Sequence, residues 1–253
     1  MTFFKSTKKL KCFAGIQNED HMNSSSLFVD MGFHHKDQKT LNNFQWHREA
    51  TWKRPKDICA NPKFFVDGTS RFDVEQGSLG DCWLLAAMSS LAMRKDLLDQ
   101  VVFPDQTFGP NYDGSFRFKF YHFGEWHEII IDDYLPCNIW GGNLMFVKSS
   151  SKNEFWSPLL EKAYAKWNGS YQALDGGFGA RGLTSFTGGC VETYYLAEEN
   201  PATITGLLQT AIRKASLLTA STPDERFSEQ EGEQGILLGK FYDISFSKGL
   251  LWF

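Results

Sequence analysis

No apolar stretch in the chain approaches the roughly 20 residues that a membrane-spanning helix requires, so a transmembrane segment is not expected. The start, Met1 to Phe13, carries Lys5, Lys8, Lys9 and Lys11 among few apolar residues, a pattern of neither a signal peptide nor an anchor. Basic runs are lacking too. Lys plus Arg total 26 against 30 Asp plus Glu, a net charge of −4, which argues against a nucleic-acid partner. The five cysteines, Cys12, Cys59, Cys82, Cys137 and Cys190, are odd in number and contain no Cys-x-x-Cys pair, so neither a disulfide framework nor a zinc site is expected and a reducing, cytoplasmic setting fits. There is no internal repeat. Histidine is scarce and unevenly placed: His21, His34, His35, His47, His122 and His127, with none beyond.

What is present is ample apolar material, 42% hydrophobic and 15% aromatic over 253 residues, enough for a packed globular core. Residues 1–50 mix Lys, Asn, Ser and His with scattered Phe and keep no period, and are expected as an irregular arm. From Trp52 turn signals alternate with bulky anchors, as in Cys59-Ala-Asn-Pro62 and Phe64-Phe-Val-Asp-Gly68, and the folded core begins. Asp81 stands where a helix cap would, before the apolar run Cys82 to Met93, which predicts a buried helix. Ser115 to Tyr121 alternates, Phe123-Gly124 interrupts, and Glu125 to Asp133 continues with β-branched residues, which predicts an antiparallel hairpin. Trp156 to Trp167 has one apolar face and Gly169 as a stop, a second helix. The glycine-rich stretch Asp175 to Gly182 lacks the Lys-Ser/Thr of a phosphate loop and is expected as a plain loop. Ala202 to Leu218 is moderately helical. The polar, acidic stretch from Thr222 is expected as a surface linker, followed by one strand within 235–253.

Cys82 combines the features a nucleophile needs. In the first turn of a helix the unpaired backbone N–H groups and the helix dipole favour thiolate over thiol. Gln76 lies six residues earlier, across Gly77-Ser-Leu-Gly80, where a turn brings its amide beside the sulfur. With the Cys82 N–H it would donate to an oxyanion. A buried cysteine opening a helix is more often structural, so this chemistry alone leaves the role of Cys82 open.

The segment Gln76-Gly-Ser-Leu-Gly-Asp-Cys82-Trp-Leu-Leu-Ala-Ala closely resembles the active-site signature of calpains. The similarity extends through Trp52-Lys-Arg-Pro55, Phe65-Val-Asp-Gly68, Arg71-Phe-Asp73, Phe123-Gly-Glu-Trp126, Ile131-Asp-Asp133, Glu154-Phe-Trp156, Leu160 to Lys166 and Asp175-Gly-Gly177. It implies an α+β fold, the first, nucleophile-bearing subdomain of a papain-like calpain core, with a central buried helix and small antiparallel strands. The corresponding division is 1–50 as arm, 51–196 as this subdomain, and 197–253 as linker and incomplete start of a second. The resemblance makes Cys82 the nucleophile of a calcium-dependent cysteine endopeptidase and Gln76 its oxyanion donor. It implies a calcium site at the carbonyls of Val66 and Gly68, the carboxylate of Asp73, and Gln172, which stands where many relatives have Glu. A glutamine keeps one hard oxygen but loses a charge and bidentate binding, so this site is expected to be weak. Arg71 matches the arginine that pairs with a second-subdomain glutamate in the family.

A papain-like site also needs a histidine well over a hundred residues after the cysteine, oriented by an asparagine. Neither is present in that order. Two readings stay open. Either Gly239-Lys-Phe-Tyr242 is the nearest counterpart of the family's histidine stretch, which puts Lys240 at the histidine's place, where a lysine protonated near neutral pH is a poor general base. Or the residues after Gly239 are not family sequence at all. Two functions follow. One is an endopeptidase of intracellular proteins, inactive as these residues alone and completed by a longer isoform or by a second subdomain in trans. The other is a truncated, non-catalytic fragment that binds protein substrates, inhibitors or a full-length calpain.

Overall fold

A computed structural model describes residues 26–196, 198–222, 241–247 and 250–252. At its centre is α4 (Cys82–Ala92), in which every residue after Cys82 is buried. A helix apolar on all sides belongs inside a core rather than on a surface. α5 (Lys95–Val101) follows directly.

One flank of the core is the expected hairpin. β2 (Ser115–His122) and β3 (Glu125–Asp132) pair antiparallel, with His122 opposite Glu125, so that Phe123 and Gly124 alone form the turn. Both turn residues have positive φ, 46° and 92°, as a two-residue turn matching the strand twist requires. Phe116, Phe118 and Phe120 point inward at every second position and are wholly or nearly wholly buried. Phe120 meets Tyr164 edge-on at 5.1 Å and Phe186 at 5.9 Å.

Tyr164 belongs to α6 (Trp156–Asn168), which ends at Gly169 with φ 97°, and Phe186 to α7 (Gly179–Thr187). The α7 helix corrects the expectation of a plain loop over Asp175 to Gly182. Gly182 serves close packing: a Cβ there would come within 2.8 Å of the Ala87 Cβ of α4.

Residues ahead of the hairpin form short capped elements. Asp30 caps a turn at Met31–Phe33, Asp37 caps α1 (Gln38–Leu41), and Asn43 caps α2 (Phe44–Glu49). Phe33 and Leu41 enter the core. β1 (Ala50–Lys53) pairs with β4 (Leu135–Asn138), and α3 (Pro55–Ile58) starts on a proline. Buried charges join this region to the hairpin's end. Lys162, fully buried, bonds the Asp132 carboxylate and the Tyr134 carbonyl. Asp132 also accepts the Asp30 N–H at 2.8 Å. Arg54 and Tyr112 both donate to Asp133, and Arg54 reaches the Phe28 carbonyl at 2.8 Å.

Beyond the core, α8 (Pro201–Arg213) is capped by Asn200. β5 (Leu218–Ser221), β6 (Phe241–Ser247) and β7 (Leu250–Trp252) form an antiparallel sheet in that order. The Ser90 hydroxyl of α4 donates to the Leu218 carbonyl at 3.1 Å, tying the central helix to this sheet. The expected linker after Thr222, and Lys240, lie outside the described residues. Among the described residues no helix is long and apolar enough to cross a membrane.

Candidate active site

Cys82 opens α4 as a half-buried free thiol. The first N–H groups of a helix have no intrahelical acceptor, so the backbone around the sulfur presents donors. Asp81, in the capping position, does not spend its side chain on them. That carboxyl is wholly buried, and burial first and the nearby Asp81 second push the carboxyl of Glu161 on α6 well above the usual carboxylate range.

The turn leading to Cys82 is pressed against two other segments. Glu75 exchanges backbone hydrogen bonds with Lys148 at 2.8 and 3.1 Å, and the Ser78 N–H reaches the Met145 carbonyl at 3.0 Å. A Cβ on Gly77 would fall 2.3 and 2.4 Å from the carbonyl oxygens of Phe146 and Met145, so only glycine lets the chain lie this close. On the other side the Gly176 N–H donates to the Gly80 carbonyl at 2.9 Å, and the Trp83 indole N–H donates to the Leu174 carbonyl at 2.9 Å. Gln76 sits at the foot of this turn, and its amide donates to the Leu79 carbonyl at 2.8 Å. Cys82 and the Gln76 amide therefore share one turn, braced on both sides.

The described histidines occupy other places. His34 and His35 stack at 4.4 Å, and His35 stacks on Tyr134 at 4.0 Å. Burial, aided by the charge of His34, lowers His35 to about 4, so it is neutral near pH 7. His122 and His127 flank Trp167 at 5.5 and 5.3 Å. His47 lies on α2, and His21 is outside the described residues.

The loop 66–73 holds three of the four positions expected around calcium. Asp67 and Gly68 are both left-handed, with φ 54° and 98°, which turns the loop sharply. Asp73 is buried, and its carboxylate accepts from the Ser70 N–H at 2.6 Å and the Ser70 hydroxyl at 2.9 Å. Gln172 is engaged differently. Its amide accepts from Asn43 at 2.7 Å and donates to Asp175 at 3.0 Å. The side chain that reaches Val66 is Glu154, 2% exposed, which accepts the Val66 N–H and the Ser149 hydroxyl, each at 2.6 Å. Burial pushes the Glu154 carboxyl up, and Asp73 and Asp67 push it further. Among the described residues no three His, Cys, Asp or Glu side chains form a ready metal cluster. Glu154 was visible within Glu154-Phe-Trp156, where a lone carboxylate precedes an apolar helix start. Arg71 lies with its guanidinium 5.0 Å from the Phe72 ring.

Comparison with known proteins gives the same direction as the geometry. Residues 24–249 match the family described as "Calpain family cysteine protease". The chain is 45% identical to Calpain-A of Drosophila melanogaster over 223 residues, 88% of this chain and 27% of that protein. It is 48% identical to Calpain-8 of Mus musculus over 196 residues, 77% of this chain and 28% of the relative. Against the Calpain-2 catalytic subunit of Homo sapiens the identity is 44% over 200 residues, 78% and 28% of the two chains. The chain thus spans about a quarter of the length of these curated relatives.

Proposed function

The chain belongs to the calpain family of cysteine proteases, and on that premise we propose that it is the nucleophile-bearing part of an intracellular endopeptidase, with Cys82 as nucleophile and Gln76 as oxyanion donor. The observation that carries this reading is the placement of Cys82 at the first turn of a buried helix, on the braced turn that also holds Gln76. Its sulfur would attack the carbonyl carbon of an extended peptide, forming a C–S bond while the oxygen takes up the negative charge. The Cys82 N–H and the Gln76 amide would meet that charge. Collapse expels the amine, which needs a proton, and water then hydrolyses the thioester. Both proton transfers call for an imidazole, and no histidine follows His127 in these 253 residues. Lys240 is matched to neither duty near neutral pH, so these residues alone bind and present substrate without turning it over.

Calcium is proposed at the 66–73 loop, through the carbonyls of Val66 and Gly68 and the carboxylates of Asp73 and Glu154. Glu154 takes the place assigned above to Gln172. Hard oxygens with two buried carboxylates, of which burial first and then the charge of Asp73 push Glu154 up, suit a divalent cation. A bound ion would supply the charge that offsets them and would fix the loop against α6.

A second reading, a non-catalytic fragment that binds protein inhibitors, substrates or a full-length calpain, is favoured by the missing base. Iodoacetamide labelling followed by mass spectrometry tests the first reading, with the exposed Cys190 as internal reference. Cys82, though only half exposed, is expected to react several-fold faster than Cys190. Equal or slower labelling contradicts its role as nucleophile.

A further inference from the structure

The segment that braces the Cys82 turn at Gly80 carries an exposed carboxylate, Asp175, next to Gly176, whose N–H donates to the Gly80 carbonyl at 2.9 Å. One carboxylate oxygen, Oδ2, accepts from the Gln172 amide at 3.0 Å. The other, Oδ1, lies over Gly80, where an added Cβ would fall 2.3 Å from it. Glycine at position 80 thus gives the carboxylate room to rest on the backbone two residues ahead of Cys82. The same segment crosses the residue that follows Cys82, since a Cβ on Gly177 would fall 2.4 Å from the Trp83 indole. Two residues span at most about 7 Å, so the Asp175 carboxylate is no more than about 11 Å from the Cys82 Cα.

We propose that Asp175 is a specificity-determining residue of the Cys82 site: its carboxylate receives the cationic head of a substrate arginine or lysine beside the scissile bond, and turns acidic residues away. A long apolar stem bridges the gap from the sulfur to the carboxylate while the charged head stays at the water-facing rim. There it makes a charge-assisted hydrogen bond, whereas an acidic side chain in the same place meets a like charge. Other charges near the turn do not compete for that head. Glu75 and Lys148, on the opposite side, approach each other to 3.7 Å and largely offset one another. Asp81 is wholly buried, and Arg181 of α7 gives its guanidinium to the Asn168 side chain.

Selection by Asp175 rests on Cys82 being the nucleophile, and measurements on the full chain keep the two apart. Iodoacetamide labelling of the unsubstituted chain against Cys190 decides the nucleophile by itself. Charge at the site is read with methanethiosulfonates bearing a trimethylammonium or a sulfonate group, each transferring its thioalkyl group to the sulfur with loss of methanesulfinate. Ionic strength is held near 10 mM, where the screening length is about 30 Å. The ratio of cationic to anionic rates cancels any change in thiolate fraction, because both reagents meet the same thiolate. At this range a unit charge facing water changes each rate about two- to fivefold, in opposite senses. Asp175→Asn should therefore lower the ratio at Cys82 about fourfold or more and leave that at Cys190 within about twofold. A ratio at Cys82 that moves no more than the one at Cys190 overturns the proposal.

The substrate class is read with two series of peptide reagents, each alkylating the sulfur with loss of chloride. Peptidyl chloromethyl ketones present the varied residue on the acyl side of the site, and N-chloroacetyl peptide amides present it on the leaving side. In one of the series arginine should label Cys82 several-fold faster than leucine, with glutamate slowest, and Asp175→Asn should remove arginine's advantage. No advantage for arginine in either series, or one that survives Asp175→Asn, overturns the proposal. So does a preference for leucine, which would point to the exposed Phe178 instead. Should Asp175→Asn fail to fold, Asp175→Ser replaces it, and the same losses are required of it.

Discussion

Gly182 offers a test of how α7 holds the helix opened by Cys82 in place. A Cβ added there would sit 2.8 Å from the Ala87 Cβ of α4. That is roughly 1 Å inside the ~3.5–4.0 Å at which carbon atoms pack well. The next neighbours, Leu84 and Trp83, lie at 3.7 Å, ordinary contact, so Ala87 alone decides the outcome. Alanine in a helix interior is worth about 0.5–1 kcal/mol over glycine, whereas forcing a methyl into a filled core costs about 1–3 kcal/mol. Gly182→Ala should thus destabilise by about 0.5–2 kcal/mol, against its own helix propensity. Ala87→Gly removes the opposing methyl, so the two substitutions together should cost less than the sum of each alone, with a coupling of about 1 kcal/mol. Urea denaturation with unchanged slope gives both numbers from the midpoints. If Gly182→Ala stabilises the chain, or the two changes simply add, the helices are not in the contact described.

Lys162→Ala strands the buried Asp132 carboxylate and should cost about 3–5 kcal/mol by the same urea assay, where an exposed pair such as Lys95–Asp99 should cost under about 1 kcal/mol. His35 is held at about 4 by burial, against 6.5 for the free group, so the stability it contributes is present above about pH 6.5 and lost as pH falls toward 4. His35→Phe should flatten that acid slope in melts taken between pH 4 and 7. Calorimetric calcium titration should show weaker binding for Glu154→Gln and no gain for Gln172→Glu, and the reverse pattern would return Gln172 to the site.

Local rules read from the sequence were enough for the elements whose contacts are local. The alternation of Phe116, Phe118 and Phe120 and the Phe123-Gly124 turn specify the hairpin, and the largely apolar run after Cys82 specifies a core helix. β1 and β4 pair across more than 80 residues, a long-range match that no window reveals. α7 was hidden because Gly182 looks like a loop residue until Ala87 and Trp83 are seen against it. Charges misled in the same way. Glu161 and Lys162 fall within an amphipathic pattern where polar residues are expected to face water, yet both are buried, each beside a carboxylate from a distant segment. Glu154 and Gln172 carry interchangeable oxygen chemistry, and only the fold puts one of them on Val66.

The proposed role of Cys82, a protease nucleophile whose proton-transfer partner is not among these 253 residues, is open to direct measurement. Casein hydrolysis by the purified chain, with and without calcium and beside Cys82→Ser, tests it most directly. No turnover above the Cys82→Ser background is expected under either condition. Calcium-dependent cleavage that Cys82→Ser abolishes would contradict it, because a working base would then have to lie within the chain.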